Sequence, residues 1–158
     1  MFAQADLEVN SDLHALTQVQ EWFEAFCAEQ IACEDCGELR QWLGTQVYPL
    51  SLALAEGFTN AVRHAHHNLP LSTPVVLQIQ LDEKRLAIRI WDYGKPFDPS
   101  TLKEPSPGTL QEGGYGWYLL RRLADDLHYI RTDRERNCLE IVKYASPTAN
   151  SHSSELNG

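Results

Sequence analysis

The chain reads as one α/β domain, with helices and strands interleaved along 158 residues. Two patterns predict this. Apolar residues recur at three- and four-residue steps in several stretches, as on amphipathic helices. Elsewhere they alternate, as on half-buried strands: Val75, Leu77, Ile79, Leu81, then Leu86, Ile88, Ile90. The length suits a single core, and 43% hydrophobic with 9% aromatic residues is ordinary for a globular chain.

Taken in order, Leu7-Glu8-Val9 is a short strand, and Ser11 or Asp12 is placed to cap the helix that follows. Leu13, Leu16, Val19, Phe23 and Phe26 form its apolar stripe. Glu34 to Gly37 reads as a break. A second helix is expected from Glu38 to Leu43, interrupted by Gly44, and Tyr48-Pro49 marks a new helix start because proline suits a first turn. The next helix, Leu50 to about His67, places Leu54, Phe58, Ala61, Val62 and Ala65 on one side. Glu56, Asn60, Arg63, His64 and His67 share the other. Asn68-Leu69-Pro70 ends it. The two alternating runs make a hairpin around Asp82-Glu83-Lys84. Residues 98–113, rich in proline and glycine, read as a mobile loop. A helix resumes at Gly116 with Tyr118, Leu119, Leu123 and Leu127 inward, and Leu139 to Val142 is a last strand. From Ser146 the chain reads as a disordered tail, leaving residues 1–145 as the domain.

A formal charge of −9 excludes general attraction to nucleic acid or anionic lipid. It does not exclude a nucleotide, whose binding depends on local N–H groups and a metal. There is no apolar run of about 18 residues, so no membrane-spanning helix is expected. Met1 to Asp6 lacks the basic start and apolar centre of a signal peptide, which points to the cytoplasm. Cys27, Cys33, Cys36 and Cys138 do not form a disulfide framework, and Cys33-Glu34-Asp35-Cys36 stands without a second pair. Reduced structural cysteines are expected.

Three motifs carry chemistry. Asn60 offers an amide oxygen suited to Mg²⁺, and Glu56, one turn earlier, can accept or orient the proton of an attacking hydroxyl. A solvated helix face is the plainer reading of either alone. His64, His66 and His67 lack the further ligands zinc would need. Asp92-Tyr93-Gly94 follows a strand. Its carboxylate can accept from the amine of adenine while Gly94 admits a flat base, or the segment is an ordinary Asx turn. Gly114-Tyr115-Gly116 opens a helix whose N–H groups can face phosphate. Neither a P-loop nor a dinucleotide fingerprint is present.

Together, Glu56…Asn60…His64, Asp92-x-Gly94 and Gly114-x-Gly116 resemble the three boxes of the GHKL ATPases, the superfamily that includes the histidine kinases. Ala55 to His64, Gly113 to Leu120 and Asp125-Asp126 look most like its anti-sigma-factor serine/threonine kinases. The resemblance spans Leu7 to Tyr144. It implies a Bergerat-type, two-layer α+β sandwich, with helices on one face of a mixed, mostly antiparallel sheet. It also implies ATP under a 98–113 lid, with Asn60 on Mg²⁺, Asp92 on the adenine amine and Glu56 as base. Arg63, His64, Gly94, Gly114 and Gly116 would complete the nucleotide site. The implied acceptor is a serine or threonine of an anti-sigma-factor antagonist. A homodimer and, in some members, capture of a sigma factor are implied as well. Two features depart from the pattern: Asn137-Cys138 stands where a Gly-Thr pair is usual, and residues 27–48 are longer than the usual link. A nucleotide-dependent binding module without turnover is the alternative, which an intact Glu56 disfavours. A detached histidine-kinase half is a third reading, but too little chain precedes Pro49 to form a phosphoacceptor hairpin around His14.

Overall fold

The computed structural model describes residues 3–34, 37–96, 115–132 and 135–145. Cys36, the expected loop over 98–113, Gly114 and the tail from Ser146 lie outside them. Strands β1 (Ala3–Asn10), β2 (Pro74–Leu81), β3 (Arg85–Asp92), β4 (Asp126–Arg131) and β5 (Asn137–Tyr144) make one sheet in the order β1-β2-β3-β5-β4. All four pairings are antiparallel. The expected mixed character is therefore not seen between neighbours among the described residues. β3 and β4 do run the same way, but β5 lies between them.

One sheet face is apolar because the side-chain period is two and the register keeps like with like. Leu7 stands opposite Leu77, Leu77 opposite Ile90, and Ile90 opposite Leu139. Helices α1 (Leu16–Ile31), α2 (Gly37–Asn60) and α3 (Tyr115–Leu123) cover that face. Phe23, Leu50, Leu54 and Phe58 meet Leu77, Ile79, Ile88, Ile90 and Ile141 in one buried core. Gly57 lets α2 lie directly on the sheet, since a Cβ there would come within 2.6 Å of Ile90 Cδ1 and 3.2 Å of Leu139 Cδ2. On the other face Arg89 donates to Glu140 (2.7 Å) and Gln78 (3.0 Å), a polar surface that no helix among the described residues covers. This is the two-layer sandwich that the resemblance implies.

Local details sharpen or correct the sequence reading. Asp12, not Ser11, is the cap: its Oδ1 accepts from His14 N at 3.0 Å, opening a short 3-10 turn (Leu13–Ala15) into α1. Asp82 Oδ1 accepts from Lys84 N (2.7 Å) and Arg85 N (3.0 Å), fixing the expected hairpin turn. The second helix and the Asn60 helix are one. α2 runs unbroken through Gly44 and Pro49 because Leu43 on one side and Leu50, Ala53 and Leu54 on the other are buried in the same core. Burial there outweighs the local cost of glycine and proline. The last helix stops at Leu123 rather than passing Leu127. Ala124 N–H closes it on Leu120 O (3.0 Å), and Asp125 N–H then donates to Val142 O (2.9 Å), drawing the chain into β4. Leu127 is a strand residue, and Trp117 and Leu120, rather than Tyr118 and Leu119, are the buried pair on α3.

Among the described residues Cys27, Cys33 and Cys138 are free thiols. Burial pushes the Cys27 thiol up to about 12 and that of Cys138 to about 11. Neither is a nucleophile at neutral pH.

Candidate nucleotide-binding site

The site forms where the C-terminal end of α2, the end of β3 and the start of α3 meet. α2 keeps α-helical geometry to Asn60, then widens to a π turn over Ala61–Ala65. Its signature is His66 N–H donating to Ala61 O, five residues back, at 2.9 Å. A regular helix to His67 was the expectation. The wider turn rotates everything after Asn60, so Arg63 and His64 lie exposed at the rim while His66 turns inward, 3% exposed.

His66 joins three elements. Tyr93 N–H donates to its Nε2 (2.7 Å), so the proton of the neutral ring sits on Nδ1 and faces Ser11 Oγ at 2.9 Å. Burial holds His66 below the ordinary histidine range, against the opposing pull of Asp92. The geometry makes His66 a structural histidine, while His64, a nucleotide-site candidate by resemblance, lies exposed at the rim.

The end of β3 is anchored more firmly still. Asp92 is 3% exposed. Its Oδ1 accepts from Gly94 N (2.9 Å), the Asx turn anticipated from sequence, and from Asn137 Nδ2 (2.8 Å). Its Oδ2 accepts from Tyr129 O–H (3.2 Å), and burial together with Asp92 raises the Tyr129 hydroxyl well above its usual range, so it keeps its proton. Asn137, fully buried, also donates to Gly94 O (2.9 Å), and Arg131 Nη1 reaches both Gly94 O (3.1 Å) and Asn137 Oδ1 (3.3 Å). Asp92, Asn137 and Arg131 stand in register across β3, β5 and β4. Gly94 in turn packs on the π turn: a Cβ there would lie 2.7 Å from the Ala65 carbonyl carbon and 2.8 Å from its Cα.

The third motif closes on the first. A Cβ on Gly116, in the first turn of α3, would overlap the Glu56 carboxylate and sit 3.6 Å from Asn60 Oδ1. Glu56, Asn60 and the start of α3 thus share one spot, both side chains half-buried. The structure therefore brings Glu56, Asn60 and Gly116 together and ties Asp92 and Gly94 to the turn that follows Asn60. Tyr129 and Arg131 carry no sequence signal, and Asn137 shows only as a departure from the usual Gly-Thr pair, because strand register alone places all three beside Asp92.

A carboxylate, an amide oxygen and a glycine-lined helix start at one point, with a buried acceptor nearby, suit a nucleotide and a hard cation. Among the described residues no three His, Cys, Asp or Glu side chains are grouped to hold a metal. A cation held by the Asn60 amide oxygen would be of the kind that completes its shell with phosphate oxygens and water, as Mg²⁺ does. No helix among the described residues is long and apolar enough to cross a membrane.

Comparison with known proteins agrees with this geometry. The profile of the histidine kinase-like ATPase domain matches residues 9–143. Serine-protein kinase RsbW of Bacillus licheniformis is 36% identical over 87 residues, covering 50% of this chain and 54% of the relative. The protein of the same name from Oceanobacillus iheyensis is 33% identical over 86 residues, covering 49% and 54%. That of Staphylococcus aureus is 27% identical over 113 residues, covering 58% and 71%. The chain spans about half the length of the first two of these relatives. With the profile matched from β1 to β5 and the three motifs meeting as described, this chain belongs to the histidine kinase-like ATPase domain family.

Proposed function

We propose that this chain binds ATP with Mg²⁺ and phosphorylates a serine or threonine hydroxyl on a small regulatory partner, an anti-sigma-factor antagonist. The observation that carries this is the meeting of Gly116 with Glu56 and Asn60, which sets a would-be base, a metal ligand and a helix N-terminus at one point. Asn60 Oδ1 holds the cation. Glu56 takes the proton of the attacking hydroxyl. Asp92 accepts the adenine amine, and Gly94 keeps the backbone beneath the base thin. Gly114 and Gly116 admit phosphate to the N–H groups of α3, with the exposed Arg63 and His64 on the rim beside it. Catalysis of this kind is positioning and electrostatics rather than covalent chemistry by the protein. The name carried by the relatives supports the acceptor class. We further place the protein in the cytoplasm as a homodimer, with a sigma factor as a second partner.

Calorimetric titration with ATP, with and without Mg²⁺, tests the reading, followed by transfer to the antagonist. Binding should need Mg²⁺ and be lost in Asn60→Ala. Glu56→Ala should bind ATP within about threefold of the parent but cease transfer; removing a general base costs roughly 10²–10⁴-fold. A folded parent that binds no ATP refutes the proposal, and undiminished transfer by Glu56→Ala removes that residue as base.

A further inference from the structure

An ionised carboxylate has about four acceptor positions, two on each oxygen. At Asp92 three are taken within the protein: Asn137 Nδ2 and Gly94 N on Oδ1, and Tyr129 O–H on Oδ2. The Asn137 amide cannot be turned around. Its nitrogen faces two acceptors, Asp92 Oδ1 and Gly94 O, while its oxygen faces the Arg131 guanidinium. Oδ1 is thus closed to any ligand, and among the described residues a single position is left on Oδ2.

We propose that Asn137 is a specificity-determining positioning residue: by saturating Asp92 Oδ1 it leaves one acceptor for the base, which fits the single exocyclic amine of adenine and denies guanine a two-point grip. Guanine presents N1–H and N2–H side by side, a pair that an open carboxylate accepts with both oxygens. Adenine presents one amine on that edge, beside an acceptor nitrogen. With Oδ1 blocked, the second guanine donor has nowhere to go and its desolvation is not repaid. Discrimination then comes from a residue that never touches the nucleotide. This rests on the nucleotide-binding reading above and adds to it the origin of base choice.

The test measures ATP, GTP and ITP affinities by calorimetry in the presence of Mg²⁺. The parent and the variants Asn137→Ala and Asn137→Ser, both of which open Oδ1 to water or ligand, are compared. In the parent, GTP should bind no better than ITP, within about twofold, because the extra N2–H of guanine finds no acceptor. In either variant the ATP-over-GTP preference should fall at least tenfold, the order expected for one buried hydrogen bond gained by the wrong base. A general loss of packing would weaken both nucleotides alike and leave that ratio unmoved. An unchanged ratio in a folded variant, or a parent binding GTP ten times more tightly than ITP, overturns the inference while leaving ATP binding intact. A parent that binds no nucleotide overturns both readings. Should neither variant fold, the parent's GTP and ITP affinities alone decide.

Discussion

Alanine at Gly94 and at Gly44 should move stability in opposite directions, although the chemical change is the same. At Gly94 the new methyl would stand 2.7 Å from the Ala65 carbonyl carbon and 2.8 Å from its Cα. Both are backbone atoms, and they belong to the π turn pinned through His66 to Ser11 and Tyr93. No side chain can swing aside, so strand end and turn must separate. Overpacking of this kind costs about 1–3 kcal/mol, and for a chain of this size each kcal/mol lowers Tm by roughly 2–4 °C. A fall of about 2–12 °C is expected. At Gly44, exposed within α2, a Cβ meets nothing within 4 Å. Alanine there should stabilise by about 0.5–1 kcal/mol, raising Tm by roughly 1–4 °C. Thermal unfolding followed by circular dichroism at pH 7.5 reads both. A Gly94→Ala protein as stable as the parent would mean that the strand end and the π turn are not in contact, and the account of the site would fall with it.

Two further outcomes separate function from folding. Gly116→Ala meets the far end of a flexible side chain, the Glu56 carboxylate, so its Tm should shift by no more than about 4 °C, equivalent to about 1 kcal/mol. Displacing Glu56 should slow transfer about 10²-fold, and a methyl at the phosphate approach should weaken ATP binding as well; unchanged transfer and unchanged ATP affinity would contradict this. For His66, burial lowers the folded pKa below the unfolded value of about 6.5. The unfolded chain therefore takes up the proton first as pH falls. The stabilisation is fully present above pH 6.5 and declines below it until the folded pKa is passed, by up to about 1.4 kcal/mol per pH unit. Urea midpoints at pH 7.5, 6.5 and 5.5 should fall more steeply for the parent than for His66→Gln, and equal slopes would refute the role.

Much of this could be read along the chain because it depends on neighbours in sequence. The hairpin at Asp82 follows from alternation, and the Asx turn at Asp92 from a short carboxylate two residues before a glycine. The pairing of Glu56 with Asn60 follows from helical spacing. The structure departs from local preference where distant burial overrules it. Gly44 and Pro49 argue for a helix break, yet buried residues on both sides carry α2 through them. Leu127 continues an apparent helical stripe, yet Val142 O captures Asp125 N–H and turns the stretch into an edge strand. That His66 turns inward depends on a π turn, which no apolar periodicity announces.

By itself the sequence determined the α/β class, the three motifs and the pairing of a carboxylate with an amide one turn apart. Each depends on φ/ψ preference or on a spacing of three or four residues. Only the tertiary structure decided that Gly116 closes on Glu56 and that Gly94 rests on Ala65. It alone set Asn137 and Tyr129 around Asp92. Those contacts join residues 29 to 60 positions apart, and their register is set by how the sheet and helices pack, because a one-residue slip would turn Asn137 to the opposite face.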